Sequence, residues 1–136
     1  MTAEGQVNDH VHLEETTPWV RRWLRLEGVA ALALGWVAWQ SFGGELIWFV
    51  PLLLVPDVSM AGYLGGNHTG AIAYNIAHNW FIGGAVFALG VALEVSWLAM
   101  AGAILVAHTG IDRVLGYGLK YPTSFQDTHL GRIGRR

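Results

Sequence analysis

The chain has no cysteine among its 136 residues, so disulfides and thiolate metal ligands are excluded. Any metal site must be built from imidazole and carboxylate. Charge is the second scarcity. Charged residues make up 13% of the chain, against roughly 25% in soluble domains, and this deficit points to a membrane protein. Basic residues are also missing from the whole interior: none lies between Arg25 and Arg113. The formal net charge of -2 offers no basic excess, and no nucleic-acid partner is expected. The first residues are polar and acidic, so no cleavable signal peptide is expected.

What is present is apolar bulk. Hydrophobic residues make up 53% of the chain, with seven Trp and a mean hydropathy of +0.38. Residues 1–17 read as a flexible polar arm, with His10 and His12 most simply solvated. Residues 18–121 read as a four-span transmembrane domain, opening at Pro18, and 122–136 as a soluble tail. The spans are expected at about 26–42, 46–63, 71–93 and 95–115, each near the ~17–25 residues a bilayer requires. Pro51 and Pro56 remove backbone donors and kink the second. Trp19, Arg21, Arg22, Trp23 and Arg25 form an interfacial belt before the first.

The fold class expected is all-α: a transmembrane antiparallel four-helix bundle. Every basic residue lies near a terminus, at Arg21, Arg22, Arg25, Arg113, Lys120, Arg132, Arg135 and Arg136. The turns around Gly43 and Glu94 carry acids only. The positive-inside rule then puts both termini in the cytoplasm.

That topology sorts the polar residues. Asp57 ends the second span, Asn75 and His78 begin the third, and His108 and Asp112 end the fourth. All then face one leaflet, and intramembrane ionisable groups mark functional or paired positions. His108 and Asp112 are neighbours at i, i+4, on a stripe with Trp97, Ala101 and Leu105. Tyr74 and Asn75 share a face with His78. Ala99, Ala103 and Ala107, and Gly83, Gly84 and Gly90, offer tracks for close helix approach. Glu27 and Arg113, both shallow at the same end, are expected to pair.

Several pieces resemble a known family: Arg25-Leu-Glu27-Gly28, Pro56-Asp57-Val-Ser59-Met60-Ala-Gly62-Tyr63, Tyr74-Asn75-Ile-Ala-His78, His108-Thr-Gly-Ile-Asp112-Arg113 running on to Tyr121, and Asp127-Thr-His129-Leu-Gly131. They are similar to the small bacterial membrane proteins grouped as domain of unknown function 4260, over about Leu24 to Ile133. The resemblance implies an integral protein of the bacterial inner membrane, and it carries no assigned activity. A looser similarity is to membrane-bound metal-dependent hydrolases, whose spacing differs.

The chemistry this constellation suggests is metal-dependent hydrolysis of a lipid-like or amphiphilic substrate. His78, His108, Asp112 and Asp57 would ligate Zn, Mn or Fe, with His129 closing from the tail. Asp57 and Asp112 are the candidate catalytic groups; Asn75, Tyr74, Ser59 and Asp127 support them. A network that only locks the bundle accounts for the same residues. So does a proton or ion relay through Glu27, Asp57, His78 and Asp112. A haem held between His78 and His108 is a further alternative. Membrane lipids are the expected partners, and a homo-oligomer is left open.

Overall fold

Pro18, Pro51 and Pro56 and the glycines set where each helix begins, breaks and stops. The computed structural model describes residues 17–134; most of the N-terminal arm, with His10 and His12, and Arg135 and Arg136 lie outside the described residues. Helix α1 spans Pro18–Ser41 with proline in its first turn. It ends in a tight turn at Gly43, whose φ of 81° suits glycine. There the Trp39 indole lies against Gly44 and donates from Nε1 to the Glu45 carbonyl at 3.1 Å.

Helix α2 is short, Leu46–Leu52, and gives way to a 3-10 segment at Val55–Gly65. Pro56 has no N–H, so the α pattern cannot continue through it. The Asp57 N–H instead reaches back three residues to Leu54. The Leu53 carbonyl, the partner Asp57 would have in an α-helix, is thereby released.

The expected third span is broken in two. Helix α3 covers Asn67–Ala77 and α4 covers Trp80–Ala92, bent by 48° at the break. Asn79 causes it: its side chain caps α4 by accepting from the Phe81 N–H at 2.9 Å. His78 is left as the residue that caps the C-terminus of α3. Helix α5, Ser96–Leu115, ends at Gly116 in the left-handed region, with the Tyr117 N–H returning to the Asp112 carbonyl. A tail with a small antiparallel pair, β1 (Asp127–Thr128) and β2 (Gly131–Arg132), folds back beyond it.

The described residues are thus mostly helical. Two stretches are long and apolar enough to cross a membrane, Leu46–Gly65 and Ser96–Leu115, and the bent α3–α4 pair makes a third if counted as one span. Helix α1 is not among them; Arg21, Arg22, Arg25 and Glu27 occupy its first turns. Large apolar side chains stand outward along these stretches, among them Ile47, Val58, Phe81 and Trp97. Contiguous apolar surface of this kind marks lipid or partner contact.

Helix α5 is the hub, flanked by α1 and α4 at backbone distance. Ala99, Ala103 and Ala107 are buried on it. A Cβ at Gly110 would stand 2.5 Å from the Leu32 nitrogen and 2.6 Å from the Gly28 carbonyl, and one at Gly90 would stand 2.2 Å from the Ala99 nitrogen. A Cβ at Gly83 would stand 2.9 Å from the Val106 nitrogen, whereas one at Gly84 would meet nothing within 4 Å. The stripe expected on α5 divides along its length: Trp97 and Ala101 are exposed, while His108 and Asp112 are buried.

Candidate metal centre

The backbone irregularities aim two imidazoles at one point. His108 Nδ1 meets the Leu53 carbonyl that the 3-10 segment released. His78 Nδ1 meets the Tyr74 carbonyl at 2.8 Å, at the end of α3. A carbonyl only accepts, so each Nδ1 carries the proton and donates it. In the neutral ring each Nε2 is then a bare lone pair. An imidazole oriented through the N–H of its other nitrogen is the arrangement that metal-ligating histidines adopt.

Both lone pairs face carboxylates. Asp57 Oδ1 lies 3.2 Å from His78 Nε2 and 3.5 Å from His108 Nε2. Asp112 Oδ2 lies 3.7 Å and 3.8 Å from the same two atoms. The Tyr74 hydroxyl donates to Asp112 at 2.9 Å and is the group's one neutral donor among the described residues. His108 Nε2 is buried and makes no hydrogen bond. Two carboxylate oxygens and, in the neutral rings, two Nε2 lone pairs therefore converge; His78 Nε2 and Asp57 Oδ1 stand at hydrogen-bond distance, so either a proton or a metal ion would offset the repulsion.

The spacing suits an ion. Ligand atoms of Asp57, His78 and His108 all lie within 4.8 Å of one another and could hold a metal. Tetrahedral bonds of about 2.0–2.2 Å set neighbouring ligand atoms roughly 3.3–3.6 Å apart. Asp112 stands outside this trio, fixed by Tyr74 and close to both imidazoles. Two histidines and one carboxylate leave further positions open.

Other expected residues lie elsewhere. His129 does not close over the site: its Nδ1 accepts from the Leu119 N–H at 2.8 Å, inside the tail. Asp127 accepts from the Thr123 hydroxyl at 2.7 Å and stands 3.7 Å from Arg132. Ser59 Oγ is buried with no partner and is not one of the grouped residues. Among the described residues no ion pair joins Glu27 to Arg113. Glu27 lies on the exposed side of α1, and Arg113 donates to the Tyr117 carbonyl instead. A haem between His78 and His108 does not fit. The rings stand edge to face with centroids 4.6 Å apart, leaving no gap for a macrocycle.

The residue that does close over the site is Lys120, which no spacing or motif singles out. It is buried, with Nζ 4.8 Å from the Tyr74 ring centroid and donating to the Phe125 carbonyl at 2.6 Å. Burial draws its pKa below the usual lysine value, and the Asp112 charge opposes that. Asn75 holds the Lys120 backbone on both sides, donating to its carbonyl at 2.9 Å and accepting from its N–H at 2.7 Å. Asn75→Ala should cost about 1–3 kcal/mol locally by leaving both groups unsatisfied, seen as faster hydrogen exchange at the Lys120 amide. Unchanged exchange would show that the clamp does not hold the tail.

A cavity of about 510 Å³ opens over the group, floored by Asp57, His108, Asp112 and Tyr74. Its walls are apolar, from Val50 and Leu54 to Ile111 and Leu115.

The family described as a domain of unknown function, DUF4260, matches residues 21–133. This chain belongs to that family. No curated protein and no solved structure matches it. The region shared with DUF4260 takes in the grouped Asp57, His78, His108 and Asp112, and also the tail that carries Lys120 and His129.

The tail of this DUF4260 member is expected to respond to acid through His129. Burial, and then the nearby Arg113 charge, hold the His129 pKa below its ordinary value. A depressed folded pKa means protonation favours the unlatched tail, so the latch is complete above the unfolded pKa of about 6.5 and is lost as pH falls from there through the lower folded pKa. Protonated Nδ1 can no longer accept from Leu119. Protection of the Leu119 amide, corrected for intrinsic rate, should drop on acidification across that range. Constant protection would remove His129 from this role.

Proposed function

We propose that this chain is a membrane-embedded, metal-dependent hydrolase acting on an amphiphilic substrate. Its centre is Asp57, His78 and His108, with Asp112 as the adjacent base. The observation that carries the reading is the pair of Nε2 lone pairs, each ring held by a backbone carbonyl on its other side, both facing the Asp57 and Asp112 carboxylates. Zn, Mn or Fe suits this ligand set. A divalent ion there would acidify a bound water. Asp112, 3.7 Å and 3.8 Å from the two imidazole nitrogens, would be the residue that takes the proton of that water as it attacks a carbonyl or phosphoryl centre. The leaving oxygen would then take that proton from Asp112.

The test is metal content. Protein purified in detergent should hold about one equivalent of a divalent transition metal, lost in a His78→Gln, His108→Gln double variant. Wild-type protein that takes up no such metal on incubation would leave a protonated network locking the helices, and the hydrolase reading would fail.

In the membrane we read α1, α2 with its 3-10 extension, the α3–α4 pair and α5 as four crossings of the inner membrane, both termini cytoplasmic. The support is the placement of all basic residues toward the ends of the chain. Cysteines introduced at Gly43 and Ser96 should label from outside intact cells, and one at Gly66 should not. Outside labelling at Gly66 would overturn this orientation.

A further inference from the structure

The cavity over the centre has two unlike kinds of lining, and they describe a ligand. One is polar: the carboxylates, His108 and Lys120. The other is apolar, and its Val50, Leu54 and Leu115 side chains are also exposed on the outer apolar surface, at 58%, 67% and 61%. Past these side chains the cavity is open to the apolar surface, while Tyr117, Lys120 and Phe125 line it from the tail. Lys120 is the one basic side chain on the lining. Its ammonium has three N–H donors and commits one, to Phe125. At ~30 Å³ for each water-sized group, 510 Å³ has room for roughly 17 of them. That is room for one chain with its head group.

We propose that the cavity binds a single-chain amphiphile with an anionic head, the head held between the metal centre and the Lys120 ammonium and the chain laid along Val50, Leu54 and Leu115. The proposal rests on the metal reading for half of its head-group contacts; the lysine half stands separately. An anion beside Asp57 and Asp112 needs opposing charge, and Lys120 supplies it from the tail side. Tail and bundle thus make one site, with Asn75 holding Lys120 in place.

The test uses the full chain in phosphatidylcholine nanodiscs, titrated with dodecyl phosphate, dodecanol and dodecyltrimethylammonium. Wild-type protein should bind dodecyl phosphate about tenfold or more tighter than dodecanol, as expected for hydrogen bonds to a charged group, and should bind the cation weakest. Lys120→Met should erase most of that preference with metal content retained. Leu54→Trp should weaken all three by filling the chain track. Equal affinity for the three heads in wild type would overturn the proposal, and this needs no variant to fold. A preference that survives intact in folded Lys120→Met would overturn it too. Two-chain phosphatidate competing as well as dodecyl phosphate would overturn the single-chain assignment. Metal-loaded protein with no anion preference sinks this inference and leaves the metal reading standing. Metal-free protein with a Lys120-dependent preference does the reverse.

Discussion

The His78→Gln, His108→Gln double variant should fold and should bind a divalent transition metal more than about 100-fold more weakly than wild type. Changing one outer partner of a ligand commonly costs 10–100-fold, and here two ligand atoms are removed. Glutamine places its amide near the position of Nε2 and not of Nδ1, so the Tyr74 and Leu53 carbonyls lose the donors that the imidazoles supply, at about 1–3 kcal/mol each. Metal affinity is therefore read on the folded fraction, alongside thermal unfolding measured without metal. A variant that unfolds outright while wild type binds no metal would assign the histidines to packing.

The second large effect is expected on the other side of the hub helix. Gly110→Val should destabilise the fold by about 3 kcal/mol or more, at the upper end of overpacking costs. The first added carbon alone would stand 2.5 Å from the Leu32 nitrogen and 2.6 Å from the Gly28 carbonyl. These are backbone atoms, which cannot rotate away, so α1 and α5 must part. Gly84→Val, which meets no neighbour within 4 Å, is the matched control and should be nearly neutral. If the two variants unfold alike in a detergent titration, close helix approach is not what α5 depends on.

The sequence carries the grouping of Asp57, His78 and His108 because helical spacing and alternating span direction are simple periodic properties. The small residues of α5 are legible for the same reason: Ala99, Ala103 and Ala107 recur every four residues. What was not legible came from backbone departures and from the tail. Asn79 is a capping residue standing before an apolar run, a sign that the third span would break beside His78. Pro56 stands three residues after Leu53, and it frees the carbonyl that orients His108. Lys120 carries no such sign, because its burial depends on how the tail folds back, and Asn75 makes that contact across the bundle. His129 sits in a motif that invites a ligand assignment, yet its ring nitrogen is already used by Leu119. The Glu27–Arg113 pair failed as an expectation because shared depth does not fix the face on which a side chain stands.

The central claim is that Asp57, His78 and His108 surround one metal ion. X-ray absorption at the metal edge, on protein loaded with one equivalent of zinc in nanodiscs, tests it most directly. The account predicts a first shell at about 2.0–2.1 Å made of nitrogen and oxygen, with the outer-shell scattering of two imidazoles, lost in the His78→Gln, His108→Gln variant. An all-oxygen shell with no imidazole signature, or a spectrum unchanged by that double substitution, would contradict it.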